Sequence, residues 1–147
     1  MDWTIDYSPL PVYIRVATAG VATIKGSKVM WDEILASENW VSGTSILFEH
    51  SAARPQGTEG YHLTQEMTRY FSEKVAEIGD SCLAVILADR DVYHYVSQFQ
   101  YAIRLRGSAV IIRSFADERA AVEWLEAVYG DQTREKSDRT SAGGPTG

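Results

Sequence analysis

Apolar and polar positions alternate from the start of the chain, Trp3, Ile5 and Tyr7 against Thr4, Asp6 and Ser8. Period two predicts a half-buried strand, because successive side chains of a strand point to opposite faces. Pro9-Leu10-Pro11 interrupts it, since proline lacks the amide donor that a ladder uses. A second alternation sets Val12, Ile14 and Val16 against Tyr13, Arg15 and Ala17. Two such strands with a short connection predict an antiparallel pair.

The period then changes. Met30, Trp31, Ile34 and Leu35 fall on one helical face, with Ser27 as the predicted N-cap and Ser42-Gly43 closing the segment. Ser45 to Phe48 is a short apolar run, the pattern of a strand buried on both faces. The polar stretch from Ser51 to Gly60 reads as a long loop, and such loops often carry function. A helix is predicted from about Thr64, where Met67, Tyr70, Phe71, Val75 and Ile78 recur at helical spacing, Lys74 excepted, and Gly79 ends it. Cys82 to Ala88 is the most apolar run and predicts a second buried strand, ended by Asp89-Arg90-Asp91. Val92, Tyr95, Val96, Phe99, Ala102 and Ile103 form the next helical stripe, up to Gly107. Ala109 to Ile112 predicts a third buried strand, continuing through Ser114-Phe115. Asp117 can cap a last helix, whose stripe is Ala121, Trp124, Leu125 and Val128 and whose end is Gly130.

Three buried strands separated by helices predict parallel pairing through right-handed crossovers. The expected fold is therefore α/β. A single mixed sheet, an N-terminal antiparallel hairpin plus three parallel strands, carries about four helices. The segment 131–147 has no Val, Ile, Leu, Met or aromatic residue. It buries too little to offset the entropy of ordering, so it is expected to be a disordered tail after one domain over 1–130.

Composition narrows the function classes. A net charge of −6 argues against a nucleic-acid partner, whose phosphates call for clustered Lys and Arg; Arg104 and Arg106 are only a small basic spot. The lone Cys82 excludes an intramolecular disulfide and sits in an apolar run, where it acts as a small hydrophobe. No apolar stretch approaches the roughly 20 residues of a membrane span. Met1-Asp2-Trp3 lacks the basic start and apolar run of a signal peptide. A cytoplasmic protein is expected.

The chain resembles the SpoIIAA-like family, the STAS/SEC14-type domains related to bacterial anti-sigma-factor antagonists. Trp40 and Gly43 lead into a short strand, and Leu83-Ala84-Val85-Ile86 follows with Tyr93 beyond it. Gln100, Arg106-Gly107 and Phe115-Ala116-Asp117 continue the likeness, then Ala121 and Trp124-Leu125. It spans about residues 12–129 and rests on packing positions. The resemblance implies helices against a mixed sheet in a bacterial protein. In the antagonists a serine after the third strand, at a helix N-terminus and in a pattern close to Asp-Ser-Ser-Gly, accepts phosphate from a partner kinase. Here the matching place reads Glu49-His50-Ser51-Ala52-Ala53, so the pattern is absent. Ser51 and Thr58 are the loop hydroxyls that remain as phosphoacceptor candidates.

In open α/β sheets ligands gather beyond the carboxyl ends of the parallel strands. The first buried strand leads to Glu49, His50 and Ser51, with Arg54 and Thr58 on the loop. The second leads to Asp89, Arg90 and Asp91, then Tyr93 and His94. The third leads to Ser114 and Asp117. These residues can be ordinary caps, an anion or small-ligand pocket at helix N-termini, or a metal or acid/base site built on His50, His94, Glu49 and Asp89. His62, at the mouth of its helix, reads as a surface residue. Without close-spaced histidines or a cysteine pair, no metal and no cofactor is expected. No Gly-x-Ser-x-Gly elbow and no phosphate loop is present; Gly57-Thr58-Glu59-Gly60 lacks the lysine. Tyr93, Tyr95, Phe99 and Tyr101 either line an apolar pocket or simply pack. The expected function is non-enzymatic binding of a protein partner or a small apolar or anionic ligand. The alternatives are a small enzyme or metal protein at the His/Asp/Glu edge, and a homodimeric interaction protein.

Overall fold

Among the described residues, five strands and five helices follow one another along the chain. The computed structural model describes residues 1–50, 55, 57–87 and 93–142, with backbone alone for 50 and 138–142. Strands β1 (Asp2–Asp6) and β2 (Ile14–Ala19) precede helix α1 (Ile24–Ala36) and strand β3 (Ile46–His50). Helix α2 (Gly57–Glu73) and the single turn α3 (Val75–Ile78) lead to β4 (Cys82–Ile86). Helix α4 (Tyr93–Leu105), β5 (Ile111–Phe115) and helix α5 (Glu118–Ala142) complete it.

The strands form one sheet whose spatial order is the chain order, β1 to β5. β1 runs antiparallel to β2, with Ile5 opposite Val16, and the other neighbours are parallel. Every crossover therefore steps the same way. Right-handed crossovers then put α1, α2 and α4 on one face, where α2 contacts both α1 and α4. Helix α5 crosses the other face, over β3, β4 and β5.

The register explains how each face is filled. Ile14, Ile46, Leu83 and Ile112 are successive partners across the four parallel strands and face the three-helix layer. One residue on, Leu47 and Ala84 face α5 and pack on its fully buried Ala121 and Leu125. Strand periodicity makes both apolar cores from the same short runs.

Several elements depart from the pattern-based expectation. Helix α1 starts at Ile24, because the Thr23 hydroxyl accepts the Gly26 amide at 2.9 Å and caps it; Ser27, the expected cap, is buried inside the helix. Helix α2 starts at Gly57, not near Thr64, with Glu59 suited to the positive end of its dipole. Gly57, Thr58 and Gly60 are poor helix formers, and their composition concealed that first turn. The predicted single helix breaks at Lys74 into α2 and α3. β5 lies at the sheet edge rather than inside, and Ile111 is 42% exposed. Helix α5 runs through Gly130 to Ala142, so the expected stop at Gly130 is absent. There Thr133 bonds back to the Tyr129 carbonyl at 2.8 Å and Arg134 pairs with Asp131. Among the described residues no helix is long and apolar enough to cross a membrane.

The α1–β3 connection is pinned beside α3. The Trp40 indole donates to the Glu77 carbonyl at 2.9 Å, Ser42 to Ala76 at 3.1 Å and the Gly43 amide to Ile78 at 3.0 Å. Gly79 closes this junction with φ of +69°, and a Cβ there would lie 2.2 Å from Ser42 Oγ. Gly79→Ala should therefore cost about 1–3 kcal/mol of unfolding free energy. Gly130→Ala, in a helix with open space around the position, should instead gain about 0.5–1 kcal/mol. Urea denaturation of the two variants checks both signs.

Candidate functional site

The three-helix layer does not close fully on the sheet. Toward the carboxyl ends of the parallel strands it leaves a cavity of about 210 Å³. The sheet supplies Thr18, Phe48, Val85, Leu87 and Ile112 as its floor. Helix α1 supplies Met30 and Trp31, α2 supplies Leu63, Met67 and Phe71, and α4 supplies Tyr95, Val96 and Phe99. Small side chains at facing positions, Ala22, Ser27 and Thr64 among them, leave space that a leucine would fill.

The lining has a distinct chemistry. Among the described residues, no Asp, Glu, Lys, Arg, His or Cys lines the cavity. All three methionines of the chain, Met1, Met30 and Met67, do. Their unbranched thioethers adapt to irregular shapes and favour aromatic contacts. Phe71 stands edge-on to Trp31 at 4.9 Å and to Phe99 at 5.2 Å, and Trp31 also meets Phe48 at 5.8 Å. This aromatic chain joins one wall to the other. Ser27, Thr18 and Thr64 are the hydroxyl-bearing residues of this lining. A charged group packed against these described residues would lose its hydration without a charge to replace it.

The walls are tied to each other away from the cavity. The Tyr70 hydroxyl of α2 donates to Asp32 of α1 at 2.6 Å. Burial, then the bond to Asp32, pushes the Tyr70 phenol far above its ordinary value. Lys28 of α1 pairs with Glu66 of α2 at 2.9 Å, and that bond holds the Glu66 carboxyl below its usual value.

The residues singled out in the sequence lie in several places. Glu49 faces α5, on the opposite side of the sheet from the cavity. Arg15 holds it at 2.8 Å and also pairs with Glu118 of α5. The bond to Glu118 is the main reason the Arg15 guanidinium is raised, with Glu49 adding to it. The arrangement clamps β2, β3 and α5 together. His94 is exposed on α4, stacked on Tyr95 with ring centroids 3.9 Å apart. Glu49 and His94 therefore sit on elements at opposite faces and are not brought together. Tyr93 is half-buried at the start of α4, and Thr58 is exposed in the first turn of α2. Ser51, Arg54, Asp89, Arg90 and Asp91 lie outside the described residues, as does the His50 side chain. Among the described residues no three His, Cys, Asp or Glu side chains form a metal-holding group. Asp117 caps α5 by accepting the Ala120 amide at 2.8 Å. Cys82 is buried, and burial with nearby Asp80 raises its thiol, the reverse of an activated nucleophile.

Most cavity residues were read in the sequence only as helix stripes and strand faces. Tyr95 and Phe99 alone carried a pocket reading. Met30 and Met67 on the stripes of two successive helices are the available signal; Met1, ahead of the first strand, gives none. No family model matches the chain, and no curated protein and no solved structure matches it.

The Tyr70–Asp32 tie generates a pH prediction. Folding holds the Tyr70 proton above pH 10, where the unfolded phenol, of ordinary pKa about 10, loses it. Stability present below that pH should fall above it, by up to about 1.4 kcal/mol per pH unit from this group. In Tyr70→Phe that slope should disappear, with about 1 kcal/mol lost at pH 7 for the missing hydrogen bond. Urea midpoints measured between pH 7 and 11 for both proteins check it.

Proposed function

We propose that this chain is a non-enzymatic module that binds a small, uncharged apolar ligand between its three-helix layer and its sheet. The observation that carries this reading is the cavity of about 210 Å³ whose described lining is apolar and aromatic, with three hydroxyl residues. An engineered apolar cavity of about 150 Å³ stays dry and takes up benzene, so a void of this size and character is a competent binding site. Its place, over the carboxyl ends of parallel strands, is where open α/β sheets receive ligands. Among the described residues, the lining consists of groups that hold a ligand by packing rather than act as base or nucleophile, which supports binding.

The same proposal places the chain among the SpoIIAA-like modules, working in a bacterial cytoplasm and passing ligand occupancy to a protein partner. The mixed sheet with its N-terminal hairpin supports that assignment. The residues behind the resemblance act in packing, which is why they suggest a fold more than a ligand. Gln100, for instance, clips β5 by donating to the Val110 carbonyl at 2.9 Å and accepting the Ile112 amide.

Thermal unfolding with naphthalene, indole and short alkanols tests the reading. A ligand at a hundred times its Kd stabilises the folded state by about 2.7 kcal/mol, several degrees in Tm for a chain of this length. Val85→Phe and Val96→Trp put bulk into the cavity and should abolish the shift while keeping their own Tm within a few degrees. No shift with any of these compounds, or shifts that persist in both variants, would remove the cavity as the binding site.

A further inference from the structure

This inference rests on the cavity being a binding site and concerns what enters it. We infer that the ligand is a flat, neutral aromatic molecule of about two fused rings with one hydrogen-bonding substituent, which reaches Ser27.

Size sets the first limit. The cavity of about 210 Å³ exceeds by roughly two fifths the void of about 150 Å³ that takes up one benzene ring. That leaves room for a second fused ring. Shape and surface set the next. Trp31, Phe48, Phe71, Tyr95 and Phe99 line the space together with all three methionines. Trp31, Phe71 and Phe99 meet edge to face, the packing that a further ring joins with favourable geometry. Thioether sulfurs add attraction for ring edges, which an alkyl chain does not receive. The walls discriminate by ring character as well as by hydrophobicity.

The polar limit comes from Ser27. It is 7% exposed, in the lining, and its hydroxyl donates to the Met1 sulfur at 3.7 Å. A thioether is a weak acceptor. A hydroxyl or ring nitrogen on the ligand is a better partner for Ser27, and Met1 can move aside because its side chain is flexible. Around Ser27 the described lining is uncharged, which suits a neutral substituent.

Isothermal titration with 2-naphthol, naphthalene and 1-heptanol tests this. The alkanol is chosen for overall hydrophobicity close to that of 2-naphthol. The expected order places 2-naphthol tightest, about tenfold tighter than 1-heptanol. Ser27→Ala should weaken 2-naphthol about five-fold and leave naphthalene unchanged. Ser27→Thr, which keeps the hydroxyl, should retain the gain, and the Tm of each variant without ligand reads the fold separately. If 1-heptanol binds as tightly as 2-naphthol, or Ser27→Ala leaves 2-naphthol unaffected, the ligand class is wrong and the cavity reading stands. If none of the three binds, both are wrong.

Discussion

The row Ile14, Ile46, Leu83 and Ile112 runs in register across the four parallel strands. The three-helix layer is seated on it, and the rest of the structure depends on that seating. Because the spatial order of strands equals their chain order, each crossover lands on the same face and α1, α2 and α4 are placed side by side. A one-residue slip in any strand would turn Ile46 or Leu83 toward α5 and expose Leu47 or Ala84 to the wrong layer. Burial on both faces makes such a slip costly, so the floor of the cavity is fixed as firmly as the core.

The cavity follows from where that layer stops closing. Toward the amino ends of the strands the helices pack to completion, with Ile14, Ile34, Ile46, Ile78 and Ile103 all buried. Further along the strands the facing positions carry Thr18, Ala22, Ser27 and Thr64, and the layers part. An apolar void forfeits the contacts its lining would otherwise make. One larger side chain at Val85 or Ala22 would recover part of them. The two ties between α1 and α2, Tyr70–Asp32 and Lys28–Glu66, fix the two helices to each other without reaching into the space. On the opposite face Arg15 joins β2, β3 and α5 through Glu49 and Glu118. The charged groups thus stabilise the frame and the uncharged ones form the site.

Much of this was legible in the sequence. The hairpin, the parallel strands and the four long helices follow from period two, short apolar runs and 3-4 spacing. What pattern missed has local causes. Thr23 caps a helix that a glycine at 26 concealed, and Gly57 and Gly60 disguised the first turn of α2. An edge strand and a central one look alike when each is a short apolar run, so β5 was read as buried. The site was harder. Glu49, a carboxylate after a buried strand, has the look of chemistry but serves a salt bridge, because its side-chain parity turns it toward α5. The cavity residues look like core, because a wall and a core both present apolar side chains at helical spacing. Only the third dimension shows where the layers fail to meet.

Whether this space admits a small apolar guest can be read directly from the methionines that line it. Carbon-13 labelling of the three methionine methyl groups gives a spectrum of three signals, all from the lining. Titrated with naphthalene, Met1, Met30 and Met67 should shift together and saturate at one equivalent. Three unmoved signals at saturating naphthalene would contradict the proposed binding and mark the space as part of the core.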